Sequence, residues 1–529
     1  MVLFFGIALG YALFYAPYGV NETDGGFLTG LAWQVLQGKT LYGDVVYVRP
    51  PLPVWLRALE IYCLPERWGV LGERWIYYLK VGLYSWMGAA LLYRDKQRWI
   101  LATFGFVVSA HCYPPMAWHT VDGILFSVTT VYLFFNAREG RFGIPMQLLA
   151  GISMVAAVLC KQSFYPLFPI FTVVIGVLDW RKMLVFLGGF VLALGLFVGY
   201  LYQFKLLNAF FEMTGGAASG GQAIQHGLFD YAMITPELAF PGMFAVIGGW
   251  WMYRSGKHPK TLAFLLGGFL FAMVVSFAAV VWKRQEHTAP FAQTRFLFDV
   301  AAAHLLYLLY YTRGKGGLSQ HRGVAAVLLL LSISWSAAIS WGYSLPILFS
   351  TPWIWTMMEW SSHAVGKYRW VFPYYRAALL SALLVAFYVG HSFVYRDGRR
   401  QDMTEPMGAI FPAMTGIYSD TASAALYRDL KRLAATYGPN FKVLPAFPQA
   451  NYLTGTLPPL PLDWVVNRET NGKNKMVIND LNKKKPIVFL EKTYLNKLQQ
   501  DPELRISNAV YATFKKLEET PFFIVLQGN

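Results

Sequence analysis

The sequence predicts a mainly α-helical, polytopic membrane protein that ends in a small α/β domain. Of the 529 residues, 56% are hydrophobic and only 14% are charged, whereas soluble domains contain roughly 25% charged residues. Aromatic residues reach 17%, as in membrane proteins that anchor Trp and Tyr at both lipid–water interfaces. Apolar segments of about 17–25 residues, enough to cross a bilayer, recur as far as residue 395.

About thirteen of these segments are predicted to span the membrane. They lie near residues 2–18, 75–92, 99–113, 121–136, 144–160, 164–178, 183–204, 240–253, 261–281, 296–311, 323–341, 344–359 and 371–394. The first is interpreted as a retained span, because no Lys or Arg precedes Lys39 and the basic region of a signal peptide is therefore missing.

The loops alternate in charge, which predicts their sides. Lys and Arg collect in every second loop, beginning with the cluster at 94–98, and the positive-inside rule places those loops in the cytoplasm. Loop 19–74 and the region after residue 395 then face outward. The net charge of +16 is accordingly a signal of topology, and no nucleic-acid partner is expected. Three scattered cysteines show no metal or disulfide spacing.

Residues 396–529 are predicted to form a soluble extracytoplasmic α/β domain, with residues 1–395 as the transmembrane domain. The stretch "SDTASAALYRDLKRLAATYG" indicates a helix that Ser419 caps and Gly438 ends. The segments "FKVLPAF", "KPIVFL" and "PFFIVL" are typical of short buried strands.

The long first outer loop is predicted to carry two interfacial helices. Apolar residues recur every four positions, at Phe27, Leu31 and Val35 and again at Leu28, Ala32 and Leu36, as in an amphipathic helix on a membrane surface. Gly38 ends this helix, and Pro50 and Pro51 begin the second. Such a loop suits an enzyme that holds a lipid-borne substrate at the interface.

Two acids, Glu22 and Asp24, precede the first of these helices. Asp24 either caps the helix by accepting backbone N–H bonds or takes part in the chemistry, and the local sequence leaves both open. Glu22 is interpreted as a solvated or supporting acid. The glycines at 25 and 26 are expected to let the backbone turn tightly.

The order of the motifs resembles that of the GT-C glycosyltransferases, in the bacterial branch related to protein O-mannosyltransferases and to the aminoarabinose transferase of lipid A. The pattern of an acid, a helix, G-x-x-x-Y-x-D and P-P-L matches Asp24, Gly38, Tyr42, Asp44, Pro50, Pro51 and Leu52. "MAWHTVDGILF" resembles the second acidic position, at Asp122, and "AAVLCKQSFYPLFP" the K-Q element. "QANYLTGTLPPLPLDW" resembles a loop of many bacterial members.

Two features depart from the family. The R…HY element is replaced by "WKRQEHTAPFAQTRF", in which His287 lacks its aromatic neighbour. The sequence WWDYG of oligosaccharyltransferases is absent, which argues against transfer of a whole glycan to Asn.

The resemblance implies transfer of a monosaccharide from a polyprenyl phosphate to an acceptor hydroxyl on an envelope glycan, lipid or protein, with inversion. Such a reaction needs a base at the acceptor and cations at the departing phosphate. The catalytic residues would be Asp24, as the base, and Asp122. The substrate-binding residues would be Asp44, Arg49, His119, Lys161, Gln162, His287 and Arg295.

Each assignment has a structural alternative. Asp44 fits a turn after Gly43, Asp122 fits a cap of the fourth span, and Lys161 fits a side chain that extends to the headgroups. His287 and Arg295 fit ordinary interfacial positions. No cofactor is assigned, although Asp24 with Asp44 or Asp122 offers ligands for a divalent cation.

The expected location is the inner (plasma) membrane of a bacterium, with the active site on the outer face. The Gly-rich stretch 213–231 is interpreted as a flap over that site. One alternative function is an O-antigen polymerase or ligase, although those enzymes usually lack a terminal soluble domain. A transporter is the other, but it predicts acids or broken helices at mid-span.

Overall fold

The computed structural model describes residues 1–111, 114–137, 143–215, 322–339, 346–352 and 398–528, together with isolated positions between residues 254 and 394. The predicted spans near 240–253, 261–281, 296–311 and 371–394 lie wholly or largely outside the described residues, as does most of the predicted flap.

The helices of the transmembrane part follow the predicted spans closely. They are α1 (Val2–Phe14), α2 (Phe27–Leu36), α3 (Leu52–Cys63), α4 (Gly69–Leu92), α5 (Gln97–His111), α6 (His119–Asn136), α7 (Gly143–Val158), α8 (Leu167–Leu178), α9 (Trp180–Gln203), α10 (Leu207–Gly215) and α11 (Arg322–Ile339). Eight predicted spans coincide with helices, namely α1, α4 to α9 and α11. Among the described helices, α9 and α11 are long and apolar enough to cross a membrane, so the total of thirteen is not confirmed.

Helix α9 exposes an apolar surface while it packs tightly on α7. Leu184, Val191 and Leu196 are all more than half exposed, which is typical of a helix that faces lipid. On the opposite face, a Cβ atom at Gly151 of α7 would lie 2.0 Å from the carbonyl oxygen of Phe186. The glycine therefore lets the two backbones approach, as small residues do in membrane helix pairs.

Helices α2 and α3 lie between α1 and α4, where two helices were predicted, but they differ in exposure. Helix α3 begins after Pro51 and exposes Leu59 and Tyr62, as expected of an interfacial helix. Helix α2 has the predicted bounds, with Gly38 at φ +84° just beyond it. However, most of its residues are buried, because the C-terminal domain covers the face that was expected to be polar and exposed.

The C-terminal domain contains a four-stranded sheet with helices around it. The strands are β3 (Phe441–Leu444), β4 (Ile487–Glu491), β5 (Lys515–Glu519) and β6 (Phe523–Gln527), and a small ribbon precedes them, formed by β1 (Glu405–Pro406) and β2 (Tyr418–Ser419). The sheet order is β3-β4-β6-β5, with β3 and β4 parallel and the other pairs antiparallel. The three buried strands were predicted. Strand β5 was not, because its sequence KKLEE is that of a charged, exposed edge.

The helices of this domain are α12 (Thr421–Tyr437), α13 (Ala450–Leu453), α14 (Asn474–Lys484) and α15 (Arg505–Thr513). Helix α12 ends at Gly438 as predicted, but its cap is Asp420, whose carboxylate accepts hydrogen bonds from the backbone N–H groups of Ala422 and Ser423. Ser419, the predicted cap, lies in β2 instead.

The C-terminal domain is docked on the first outer loop through backbone contacts. The amide of Gly19 donates to the carbonyl of Tyr418 at 2.8 Å, and the amide of Val46 donates to the carbonyl of Pro461 at 2.7 Å. Helix α2 lies so close to this domain that a Cβ atom at Gly30 would meet the carbonyl oxygen of Pro448 at 2.4 Å. The domain therefore covers the loop that carries Asp24.

Candidate active site

Asp24 lies in a turn that another side chain organises. The Oδ1 atom of Asn21 accepts hydrogen bonds from the amides of Thr23, at 3.1 Å, and Asp24, at 2.7 Å. The N-cap residue of α2 is Gly26, and no side chain caps the helix. Asp24 lies two residues before this N-cap, and it is 6% exposed in the loop beneath the C-terminal domain.

Gly26 is required by packing rather than by an unusual backbone conformation. Its φ is −109°, which any residue adopts. A Cβ atom there would lie 2.3 Å from the Cβ atom of Gln449, so the C-terminal domain leaves no room for a side chain. The predicted tight turn is present as well, because Gly25 and Gly26 lie in a turn that the amide of Phe27 closes by donating to the carbonyl of Asp24 at 3.2 Å.

An aromatic platform follows the Asp24 turn. The ring of Phe27 lies 5.9 Å from Trp118, 5.8 Å from His119 and 4.8 Å from Trp464, measured between ring centroids. The guanidinium of Arg49 stacks over the same ring at 5.1 Å, an arrangement that stabilises a cation. Asp24 lies within electrostatic reach of this guanidinium.

Arg49 is held from two directions. Its guanidinium donates both Nη atoms to the carboxylate of Glu469, at 2.6 Å each, and its carbonyl accepts a hydrogen bond from the hydroxyl of Tyr42 at 2.7 Å. Burial alone would lower the pKa of Arg49, but the Glu469 carboxylate outweighs this effect and raises the pKa. Arg49 therefore remains a fixed positive charge.

Lys161 lies near Arg49 with much weaker partners. Its ammonium reaches the hydroxyl of Thr120 at 3.4 Å and makes no ion pair with the residues that the structure describes. Burial, reinforced by the charge of Arg49, lowers the pKa of Lys161 to about 7. An additional anion beside this ammonium would stabilise its charged form.

Gln162 and His119 support the same region. The side-chain amide of Gln162 donates to the carbonyl of Val48 at 2.7 Å, which fixes the backbone that carries Arg49. The imidazole of His119 shares a 2.8 Å hydrogen bond with the hydroxyl of Tyr47. The structure thus brings Arg49, His119, Lys161 and Gln162 together around the Asp24 loop, and we call Asp24, Arg49, His119, Lys161 and Glu469 the outer cluster.

Asp122 belongs to a different arrangement of charges. Its carboxylate forms an ion pair with Lys80 at 2.7 Å, and Lys80 also pairs with Glu60 at 2.9 Å. Arg57, which is fully buried, joins Glu60 at 3.2 Å to Glu73 at 2.6 Å. We call these five residues the paired network. The fourth span begins without a side-chain cap, so the capping alternative for Asp122 is wrong.

The paired network reaches α2 as well. The hydroxyl of Thr29 donates to Glu73 at 3.1 Å and accepts from Arg57 at 3.0 Å. Glu73 also accepts from the amide of Ala117 at 2.7 Å. The sequence analysis did not predict this network. Lys80 within a predicted span was a signal for it, because a charge in such a segment requires a partner.

Three predicted residues lie elsewhere or outside the described part of the chain. Asp44 is exposed, and its carboxylate accepts a hydrogen bond from the amide of Thr40 at 2.9 Å. It therefore stabilises a turn, which was the structural alternative for this residue. His287 and Arg295 fall outside the described residues.

Within the described residues, no three His, Cys, Asp or Glu side chains form a group that would hold a metal ion. Of the acids predicted as cation ligands, Asp44 accepts from the amide of Thr40 and Asp122 pairs with Lys80.

A small cavity of about 30 Å³ lies beside the Asp24 turn. Its wall includes Asn21, Gly25, Glu73, Arg74, Met116 and Gln449. Arg74 is held by the carbonyls of Ala16 at 2.7 Å and Gly19 at 2.6 Å, so the strand that leads into the turn also forms part of the cavity.

The fold has known counterparts among solved structures. The oligosaccharyltransferase of Archaeoglobus fulgidus, solved in complex with zinc and sulfate, superposes with a TM-score of 0.52 at 13% identity, over 100% of this chain and 73% of that chain. ArnT from Cupriavidus metallidurans, bound to undecaprenyl phosphate, gives a TM-score of 0.44 at 13% identity, over 99% and 97% of the two chains. No protein-family model matches the chain, and no curated protein matches it. The chain therefore shares the fold of this oligosaccharyltransferase, in agreement with the resemblance seen in the sequence.

Proposed function

We propose that the protein is an integral membrane glycosyltransferase that moves a monosaccharide from a polyprenyl-phosphate donor to an acceptor hydroxyl on an envelope glycan, lipid or protein. The observation that carries this proposal is the outer cluster, in which the buried Asp24 lies within reach of Arg49 while Lys161 lies close to the same guanidinium. One base and two cations are the groups that this reaction requires.

In this mechanism Asp24 accepts the proton of the acceptor hydroxyl as its oxygen attacks the anomeric carbon. The bond between that carbon and the phosphate oxygen breaks, and the electron pair leaves with the polyprenyl phosphate. Arg49 and Lys161 neutralise the charge that develops on the phosphate. A single displacement inverts the configuration of the anomeric carbon.

Asp122 acts in this proposal as a positioning residue. Its ion pair with Lys80 fixes the first turn of α6, from which His119 and Thr120 extend toward the outer cluster. Thr120 contacts Lys161, so displacement of this turn would shift the cation that faces the phosphate.

The proposed site faces the outer side of a bacterial plasma membrane. The exposed apolar residues of α3 and α9 would contact lipid, and the docked C-terminal domain would lie outside with the first loop. The donor would enter from the lipid and the acceptor from the aqueous side. No step requires a metal ion.

The test is transfer of radiolabelled sugar from defined polyprenyl-phosphate monosaccharides by purified protein in lipid vesicles. Asp24→Asn should abolish transfer, while Glu22→Gln, a matched change in the same loop, should retain it. Equal turnover by wild type and Asp24→Asn would refute the assignment of the base. Absence of transfer by wild type with every donor would refute the function.

A further inference from the structure

Glu469 occupies the face of Arg49 that would receive a phosphate. The two oxygens of its carboxylate accept from both Nη atoms at 2.6 Å. The side chain of Arg49 is 17% exposed and that of Glu469 only 6%, so this pair is largely shielded from water.

A phosphate monoanion and a carboxylate compete for the same donors. Both present two oxygens that match the fork of a guanidinium, and one fork cannot bind both in this way. Lys161 is near enough to sense the charge of Glu469, so the same carboxylate also faces the second cation of the outer cluster.

The segment that carries Glu469 is attached at its margin by exposed contacts. Lys473 pairs with Glu212 of α10 at 2.9 Å, with side chains 26% and 62% exposed, and the Asn471 amide donates to the carbonyl of Glu212 at 2.7 Å. Exposed pairs of this kind contribute little to stability. Only the margin of the segment is weakly attached, because Val465 and Thr470 on either side of Glu469 are buried. The release of Arg49 is therefore assigned to a rotation of the Glu469 side chain.

We propose that Glu469 is a gate on the donor site, which the phosphate of the polyprenyl carrier must displace from Arg49 in order to bind. The inference rests on the proposed function and deepens it. After transfer, the carboxylate returns to Arg49 and expels the spent polyprenyl phosphate. Glu469 thus weakens the binding of the donor and speeds release of the carrier.

Binding is measured first, by titration of a polyprenyl monophosphate into the full-length protein in detergent micelles. Glu469→Gln should bind about tenfold more tightly than wild type, because the competing charge-assisted bonds are lost. The matched control is Glu518→Gln, which alters a glutamate of the same domain that pairs with Arg432 at 2.7 Å, and it should bind like wild type.

Kinetics then separate a gate from a structural role. A gate predicts that Glu469→Gln lowers both KM for the donor and kcat, because the carrier leaves slowly, whereas a residue that merely supports Arg49 would raise KM when changed. Equal or weaker binding by Glu469→Gln would overturn the inference. If that variant does not fold, Glu469→Asp should give a smaller gain in affinity, and no gain would equally refute the gate.

The two levels of the proposal fail differently. Wild type that binds no polyprenyl monophosphate would contradict the proposed function itself. Wild type that binds it, together with a Glu469→Gln variant that gains nothing, would contradict the gate alone.

Discussion

The paired network and the outer cluster are both buried groups of charges, yet they are built differently. In the paired network, each of Arg57, Glu60, Glu73, Lys80 and Asp122 lies within 3.2 Å of an opposite charge. In the outer cluster, Arg49 is paired, but Lys161 makes only a 3.4 Å contact to a hydroxyl. The two groups therefore differ in how completely their charges are paired.

We propose that this difference separates charges that stabilise the fold from a cation that receives a ligand. Burial of a charge is costly, and a set of mutually paired charges offsets that cost for the fold alone. Groups whose charge is left partly uncompensated in a buried place are typical of sites that receive a charged ligand. The resemblance placed Asp24 and Asp122 together as catalytic residues, whereas the structure pairs Asp122 with Lys80 and places Asp24 near Arg49.

The largest effect is expected from Asp24→Asn. A positioned general base contributes about 10²- to 10⁴-fold to a rate, so transfer should fall by that factor while thermal stability stays close to that of wild type. Sugar-transfer rates and thermal unfolding of the same preparations measure both. A marked loss of thermal stability in Asp24→Asn would show that Asp24 supports the fold, as the acids of the paired network do. The proposed contrast between the two groups would then be wrong.

The next effect concerns the paired network. Arg57→Met removes the cation that faces both Glu60 and Glu73, and loss of one partner of a buried pair costs about 3–5 kcal/mol. Denaturant unfolding in detergent measures this cost, and Arg67→Met, at an exposed arginine nearby, serves as the control. Equal stability of the two variants would show that the network does not support the fold.

Gly30→Ala tests the contact between α2 and the C-terminal domain. The added methyl would meet the carbonyl oxygen of Pro448, and overpacking of this kind costs about 1–3 kcal/mol. Activity should fall with stability, because the outer cluster depends on docking of the C-terminal domain. Gly10→Ala is the control, since nothing lies within 4 Å of a methyl there. Wild-type activity in Gly30→Ala would contradict the claim that activity depends on docking of the C-terminal domain.

The smallest effect is a pH dependence of donor binding. Lys161 has a pKa of about 7 in the free protein, and a bound phosphate raises it, so binding takes up a proton above this pH. Affinity for a polyprenyl monophosphate should therefore fall as pH rises above 7, by at most about tenfold per unit.

The matched variant for this titration is Lys161→Arg, because a guanidinium keeps its charge throughout the range. Its affinity should vary less with pH than that of wild type. The same slope in both proteins would assign the titrating proton to another group.

Much of the helical architecture could be predicted because hydrophobic periodicity and glycine stops are local signals. The bounds of α2, the buried strands β3, β4 and β6 and the end of α12 at Gly438 all followed from a few adjacent residues. Asp24, Lys161 and Gln162 were predicted from the order of motifs and Arg49 as a cation of the same loop, and the structure brings them to one region.

The pairings across the chain could not be predicted in this way. Nothing near Glu469 indicates that it meets Arg49, which lies 420 residues earlier. The burial of α2 was missed for the same reason, because the residues that cover it, around Pro448 and Asp463, come from the other end of the chain. Only the tertiary structure decides whether an amphipathic helix faces lipid, water or another domain.

The long separation between Arg49 and Glu469 also has a consequence for biogenesis. During synthesis residues 19–74 are made long before the segment around residue 469. Contacts between such distant residues form late, since the chain between them must first be ordered. Nascent chains would therefore lack Glu469 and the domain that covers the Asp24 loop. The proposed site would be complete only after the C-terminal domain has docked.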